Sequence, residues 1–130
     1  MGDNRYIFSN PNPSNTRQSC DCVVRAISHA LNLSWDTIYR DLCDLGFALK
    51  RMPNDRDTYR TYLSNAGMKR TGISNKKGST RPTVASFASS HSSGVYILEI
   101  AHHLVTVRDG HYYDTWDCGR KCLYGYWSRA

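Results

Sequence analysis

Val95-Tyr96-Ile97-Leu98-Glu99-Ile100-Ala101-His102-His103-Leu104-Val105-Thr106-Val107-Arg108-Asp109-Gly110-His111-Tyr112-Tyr113-Asp114-Thr115-Trp116 is the stretch whose reading decides the fold. β-branched and aromatic residues flank Asp109-Gly110 on both sides, and an Asp-Gly pair between two such runs is the strongest short-range hairpin signal. With those two residues as the loop, Arg108 opposes His111, Val105 opposes Asp114 and His103 opposes Trp116. Side chains on one face recur every second residue, so His103 and Asp114 become diagonal neighbours with Cα atoms about 7 Å apart. A carboxylate at that distance reaches an imidazole. The rival pair, His102 with Asp117, is directly opposed on the other face. Val95 to Val107 reads as one extended run, and Leu123-Tyr124-Gly125-Tyr126-Trp127 as a last strand.

Upstream, the apolar period changes from two to that of a helix. Val23, Ala26, Ile27, Ala30 and Leu31 mark one buried face of a helix of roughly ten residues starting at Cys22, with Asp21 at the N-cap and Asn32 as its stop. A second helix is capped by Ser34, buries Trp35, Ile38, Leu42 and Leu45, and ends at Gly46 by the left-handed glycine rule. Pro53-Asn54-Asp55 introduces a third, with Tyr59, Tyr62, Leu63 and Ala66 inward and Gly67 closing it. Thr83 caps a short fourth that buries Val84, Phe87 and Ala88. Tyr6-Ile7-Phe8 forms a short edge strand before the proline-broken Asn10-Pro11-Asn12-Pro13, and Gly72 to Arg81 lacks periodicity and reads as a loop. Helices precede an antiparallel sheet, so the class is α+β, in one domain spanning residues 1–130.

The chain has 130 residues and five cysteines, with no apolar stretch long enough to span a bilayer and no signal-like opening. The expectation is a cytoplasmic protein, without membrane contact, whose thiols are free, ligating or catalytic and which needs no cofactor. Net charge is +6, yet Lys50 to Arg81 holds nine basic residues against Asp55 and Asp57, so the rest is close to neutral. Such a region is either a solvated face or a docking surface for an acidic protein or a nucleic acid.

Cys22 at a helix start faces unpaired backbone N–H groups and the positive end of the helix dipole, which favour thiolate. With His103 as proton carrier and Asp114 orienting the ring, it completes the set of groups that acyl transfer through a thioester requires. The bland alternatives are a buried thiol acting as a small hydrophobe and a surface ion pair between His103 and Asp114.

The order Cys22, His103 and Asp114-Thr115-Trp116 resembles the papain-like cysteine peptidases, in which an Asn or Asp followed by a hydroxyl residue and Trp completes the site. Asp21-Cys22 is similar to the bacteriocin-leader-processing branch of that clan. Asn10-Pro11-Asn12-Pro13, Asp21 to Ser28 and His103 to Asp117 resemble small proteins of bacteriophages, prophages and mobile elements, a likeness covering nearly the whole chain. The resemblance implies a papain-like fold and a thiol protease with Cys22 as nucleophile, His103 as general base and acid, and Asp114 as orienting residue. If the protein is phage-encoded, the host cytoplasm is its compartment. The clan places an oxyanion-hole Gln six residues before the cysteine; here Thr16 holds that place, and Gln18 or Asn15 is the candidate donor. Trp116, Arg56 and Arg60 are candidate substrate contacts, the arginines through an acidic protein or peptide substrate.

Three other readings use the same residues. A deamidase or transglutaminase-like enzyme needs the same triad. Cys20, Cys22, Cys118 and Cys122 offer four thiolates to zinc, although only one residue separates the first pair. A catalytically inactive module that binds a nucleic acid or an acidic protein would use the 50–81 region, with Tyr59 and Tyr62 as stacking platforms.

Overall fold

The computed structural model describes residues 4–14, 20–74 and 80–129. In chain order its elements are β1 (Tyr6–Phe8), α1 (Cys22–Leu31), α2 (Trp35–Leu49), α3 (Arg56–Asn65), β2 (Met68–Gly72), α4 (Val84–Ser90), β3 (Val95–Ile100), β4 (His103–Arg108), β5 (His111–Asp114) and β6 (Gly125–Arg129). The fold is mixed α+β: four helices and one six-stranded sheet of order β1-β5-β4-β3-β6-β2. No helix among the described residues is long and apolar enough to cross a membrane.

The Asp109-Gly110 turn forms as expected. Both residues take positive φ, 50° and 82°, as a two-residue hairpin loop requires, and β4 pairs with β5 through Arg108↔His111, Val107↔Tyr112 and Thr106↔Tyr113. Alternate residues of the central strands feed two apolar clusters. Ile97, Leu104 and Trp127 pack with α1, α2 and α3, whereas Leu98, Ile100, Val105 and Val107 pack with α4 and Tyr112. Helices thus cover both faces of the sheet. The helix α1 is buried nearly all round, with Val24, Arg25 and Ser28 enclosed besides the expected apolar stripe. Thr106 Oγ1 donates to the Ala26 carbonyl at 2.5 Å, fixing α1 against β4.

Three local expectations are corrected, and one strand forms where the sequence reading placed no element. The run from Val95 to Val107 is two strands, because Ala101-His102 turns the chain and His102 adopts φ 54°; Ile100 then pairs with His103. The sheet is not wholly antiparallel, since the edge strand β1 runs parallel to β5. Met68–Gly72 is a strand with no apolar alternation to announce it, and pairing with β6 supplies the order that its own side chains lack. Gly46 does not end α2, which runs on to Leu49 with Lys50 in the left-handed conformation. Its glycine is needed for proximity, as a Cβ there would lie 2.6 Å from the Arg51 carbonyl oxygen. The other helix boundaries follow the sequence reading, with Ser34, Asp55 and Thr83 side chains accepting from backbone N–H groups of α2, α3 and α4.

Candidate active site

Cys22 is the first residue of α1, at the positive end of its dipole. Asp21 occupies the N-cap position, yet its side chain makes no capping hydrogen bond. It is buried and accepts instead from Arg25 Nε at 2.8 Å, Trp35 Nε1 at 2.9 Å and Asn12 Nδ2 at 2.9 Å. The expected cap is therefore a junction that joins α1, α2 and the N-terminal arm.

The hairpin register sets His103 diagonal to Asp114, and the ring turns toward it: Nε2 donates to Asp114 Oδ2 at 2.5 Å. Asp114 is 1% exposed. Its Oδ1 accepts from Arg25 Nη1 and from the Thr115 N–H, each at 2.7 Å, and its Oδ2 accepts a longer contact from the Cys118 thiol at 3.5 Å. Four donors saturate this carboxylate, so it is fixed in position and in charge. Trp116 lies against His103, with ring centroids 5.0 Å apart, and remains 42% exposed at the mouth of the site.

The Cys22 thiol is within hydrogen-bonding reach of His103. Since Nε2 is engaged by Asp114, Nδ1 is the ring nitrogen left for the sulfur. Burial, the largest influence, pushes the Cys22 thiol up, but the hydrogen bonds from His103 and the Leu104 N–H, with the positive charges of His103 and Arg25, bring it below the ordinary cysteine value. For His103, burial is again the largest effect and acts to lower it; hydrogen bonds to Asp114, Cys118 and Cys22 overcome this and raise the imidazole to about 11. Asp114 is held below the usual carboxylate range against its own burial by His103 and Arg25. The surroundings thus favour a thiolate–imidazolium pair backed by an anion.

The site opens on a cleft of about 900 Å³. Cys22, His103 and Trp116 line one part of it; Arg56, Arg60 and Glu99 line another. All the described candidates for catalysis and substrate contact therefore share one cleft or, for Asp114, stand directly behind it. Gln18 and Asn15, the candidate oxyanion-hole donors, lie outside the described residues.

The rival pair does not form. His102 sits exposed in the β3–β4 turn, and Asp117 accepts from the Tyr112 hydroxyl at 2.5 Å and the Gly119 N–H at 3.0 Å. The four cysteines suggested for zinc do not assemble either: among the described residues, His103, Asp114 and Cys118 are the one group of three or more potential ligands that cluster, with donor atoms within 4.8 Å. A metal there would need Cys118 as thiolate, whereas burial pushes that thiol up, and Arg25 already occupies Asp114 Oδ1.

Two residues escaped the sequence reading. Arg25 is 8% exposed and bridges Asp21 and Asp114, linking the helix that presents the sulfur to the strand that presents the carboxylate. A charged residue inside an apolar helical run, four places after an aspartate, is the signal that could have flagged it. Cys118 donates to the Asp114 carboxylate, and nothing in its local sequence announces that. Neither a protein-family model, nor a curated protein, nor a solved structure matches the chain.

Proposed function

We propose that this chain is a cysteine-dependent hydrolase of the papain-like type, cleaving a peptide or isopeptide bond through a thioester at Cys22. The observation that supports it is that Cys22 and His103 line one cleft together, with the His103 ring hydrogen-bonded to Asp114 behind it.

In this reading the Cys22 thiolate attacks the scissile carbonyl carbon and forms a C–S bond. The carbonyl electrons move onto oxygen, where the Cys22 backbone N–H at the start of α1 is one available donor. When the intermediate collapses, the C–N bond breaks and His103 gives its proton to the departing amine. A water then attacks the thioester, transfers a proton to the now neutral imidazole, and the acid product leaves with the ion pair restored. Asp114 stays charged throughout and holds the ring in the tautomer and orientation that both steps need.

Trapping tests this directly. A peptide chloromethyl ketone, quenched early and mapped by mass spectrometry, is expected to modify Cys22 ahead of Cys20, Cys43, Cys118 and Cys122, and to lose that preference in a His103→Ala variant. Equal labelling of exposed Cys20, Cys122 and Cys22 would overturn the proposal.

A further inference from the structure

Glu99 ends up buried at the close of β3, a position that demands compensation for its charge. Two guanidinium groups supply it. Arg60 of α3 donates to Oε1 from Nη2 at 2.9 Å and to Oε2 from Nε at 3.3 Å; Arg70 of β2 donates to Oε1 from Nε at 3.0 Å. The Trp127 indole adds a donor to Oε2 at 2.8 Å. One carboxylate thus serves two cations, and a unit positive charge is left over. The two arginine side chains are 33% and 29% exposed, and both line the cleft that holds Cys22.

Arg56 adds to this excess. It lies one turn before Arg60 on α3, lines the same cleft, is exposed, and forms no salt bridge among the described residues. Arg51, outside the cleft, is by contrast matched by Asp55 and Asp57. Of the described basic residues between Lys50 and Arg81, these three line the cleft, so the regional charge becomes a local one.

Resting on the hydrolase reading, we infer that Arg56, Arg60 and Arg70 form the specificity wall of the cleft, selecting peptide substrates that carry a carboxylate beside the scissile bond. Glu99 and Trp127 hold the Arg60 and Arg70 forks in place before a ligand arrives, which removes much of the side-chain ordering cost of binding. Their remaining N–H donors, with those of Arg56, match a carboxylate through charge-assisted hydrogen bonds. The excess is about two charges in one concavity shared with the thiol, rather than a long basic stripe, and that fits a short acidic peptide better than a nucleic-acid backbone.

The test uses the full chain and three probes: N-iodoacetyl-glycyl dipeptide amides ending in Glu, Gln or Lys, identical at the reacting carbon. Cys22 of the wild type should react at least about tenfold faster with the Glu probe than with the Gln probe, the scale of one charge-assisted hydrogen bond. Arg56→Glu should abolish that ratio and favour the Lys probe, and Arg56→Gln with Arg70→Gln should bring it to about one. Lys50→Glu, a change of equal charge on an exposed residue outside the cleft, should leave it intact. Equal rates for Glu and Gln, or the same loss in Lys50→Glu, would overturn the inference. So would protection of Cys22 by a single-stranded oligonucleotide at lower concentration than by a Glu-rich peptide, which would assign the wall to nucleic acid. A Cys22 no more reactive than Cys20 defeats the hydrolase reading, whereas a selectively reactive Cys22 indifferent to probe charge defeats only the acidic specificity.

Discussion

Replacing Arg25 with methionine should lower the stability of the fold by about 3–5 kcal/mol, the usual cost of removing one member of a buried ion pair. The loss belongs at the upper end because two buried carboxylates lose a shared guanidinium partner at once. Asp21 keeps Trp35 and Asn12 as donors, and Asp114 keeps His103, Thr115 and Cys118, yet both lose the guanidinium that bridges them. Arg25→Lys preserves the charge but not the fork that spans Nε–Asp21 and Nη1–Asp114, so an intermediate loss is expected. Urea unfolding followed by far-ultraviolet circular dichroism measures this, as a lower midpoint at unchanged slope. A shift under about 1 kcal/mol for Arg25→Met would mean that the bridge is not formed in solution.

For the proposed hydrolase, replacing His103 with alanine should leave the fold standing and reduce peptide hydrolysis by about 10⁴-fold or more, because in that reading the Cys22 nucleophile loses its proton carrier and its stabilising charge together. His103 lies at the start of β4 with its side chain on the cleft, and its truncation opens space toward solvent rather than a sealed cavity. Cys22→Ala should cost a similar factor, and the double variant little more, since the two act as a unit. The measurement is kcat/KM on any peptide that the wild type cleaves, alongside circular dichroism to show that the fold persists. A His103→Ala enzyme within tenfold of wild type would remove His103 from the chemistry.

The hairpin was legible because Asp109-Gly110 is a turn of nearly unique chemistry, and a two-residue loop leaves a single register in which His103 and Asp114 meet. Cys22 was legible from the abrupt start of an apolar helical period. The β3–β4 turn was hidden because Ala101-His102 contains none of the usual turn formers, and His102 takes a left-handed conformation that is uncommon outside glycine. The strand β2 was hidden for a related reason: Lys69, Arg70 and Thr71 carry no apolar face, and what orders them is the partner strand β6. Arg25 and Glu99 are tertiary facts. Sequence spacing shows a charge in an apolar run, but only the packed structure shows that each charge has its counter-ions waiting.

The central claim is that Cys22 is ionised by its neighbours, and its titration tests that most directly. The rate of Cys22 alkylation by iodoacetamide, followed from pH 4 to 10 by peptide-resolved mass spectrometry, reports the thiolate fraction at that sulfur alone. The structure predicts a midpoint below that of the same cysteine in the urea-unfolded chain, moving back up in His103→Ala. A native Cys22 that titrates with or above the unfolded thiol, unmoved by the loss of His103, would contradict the account.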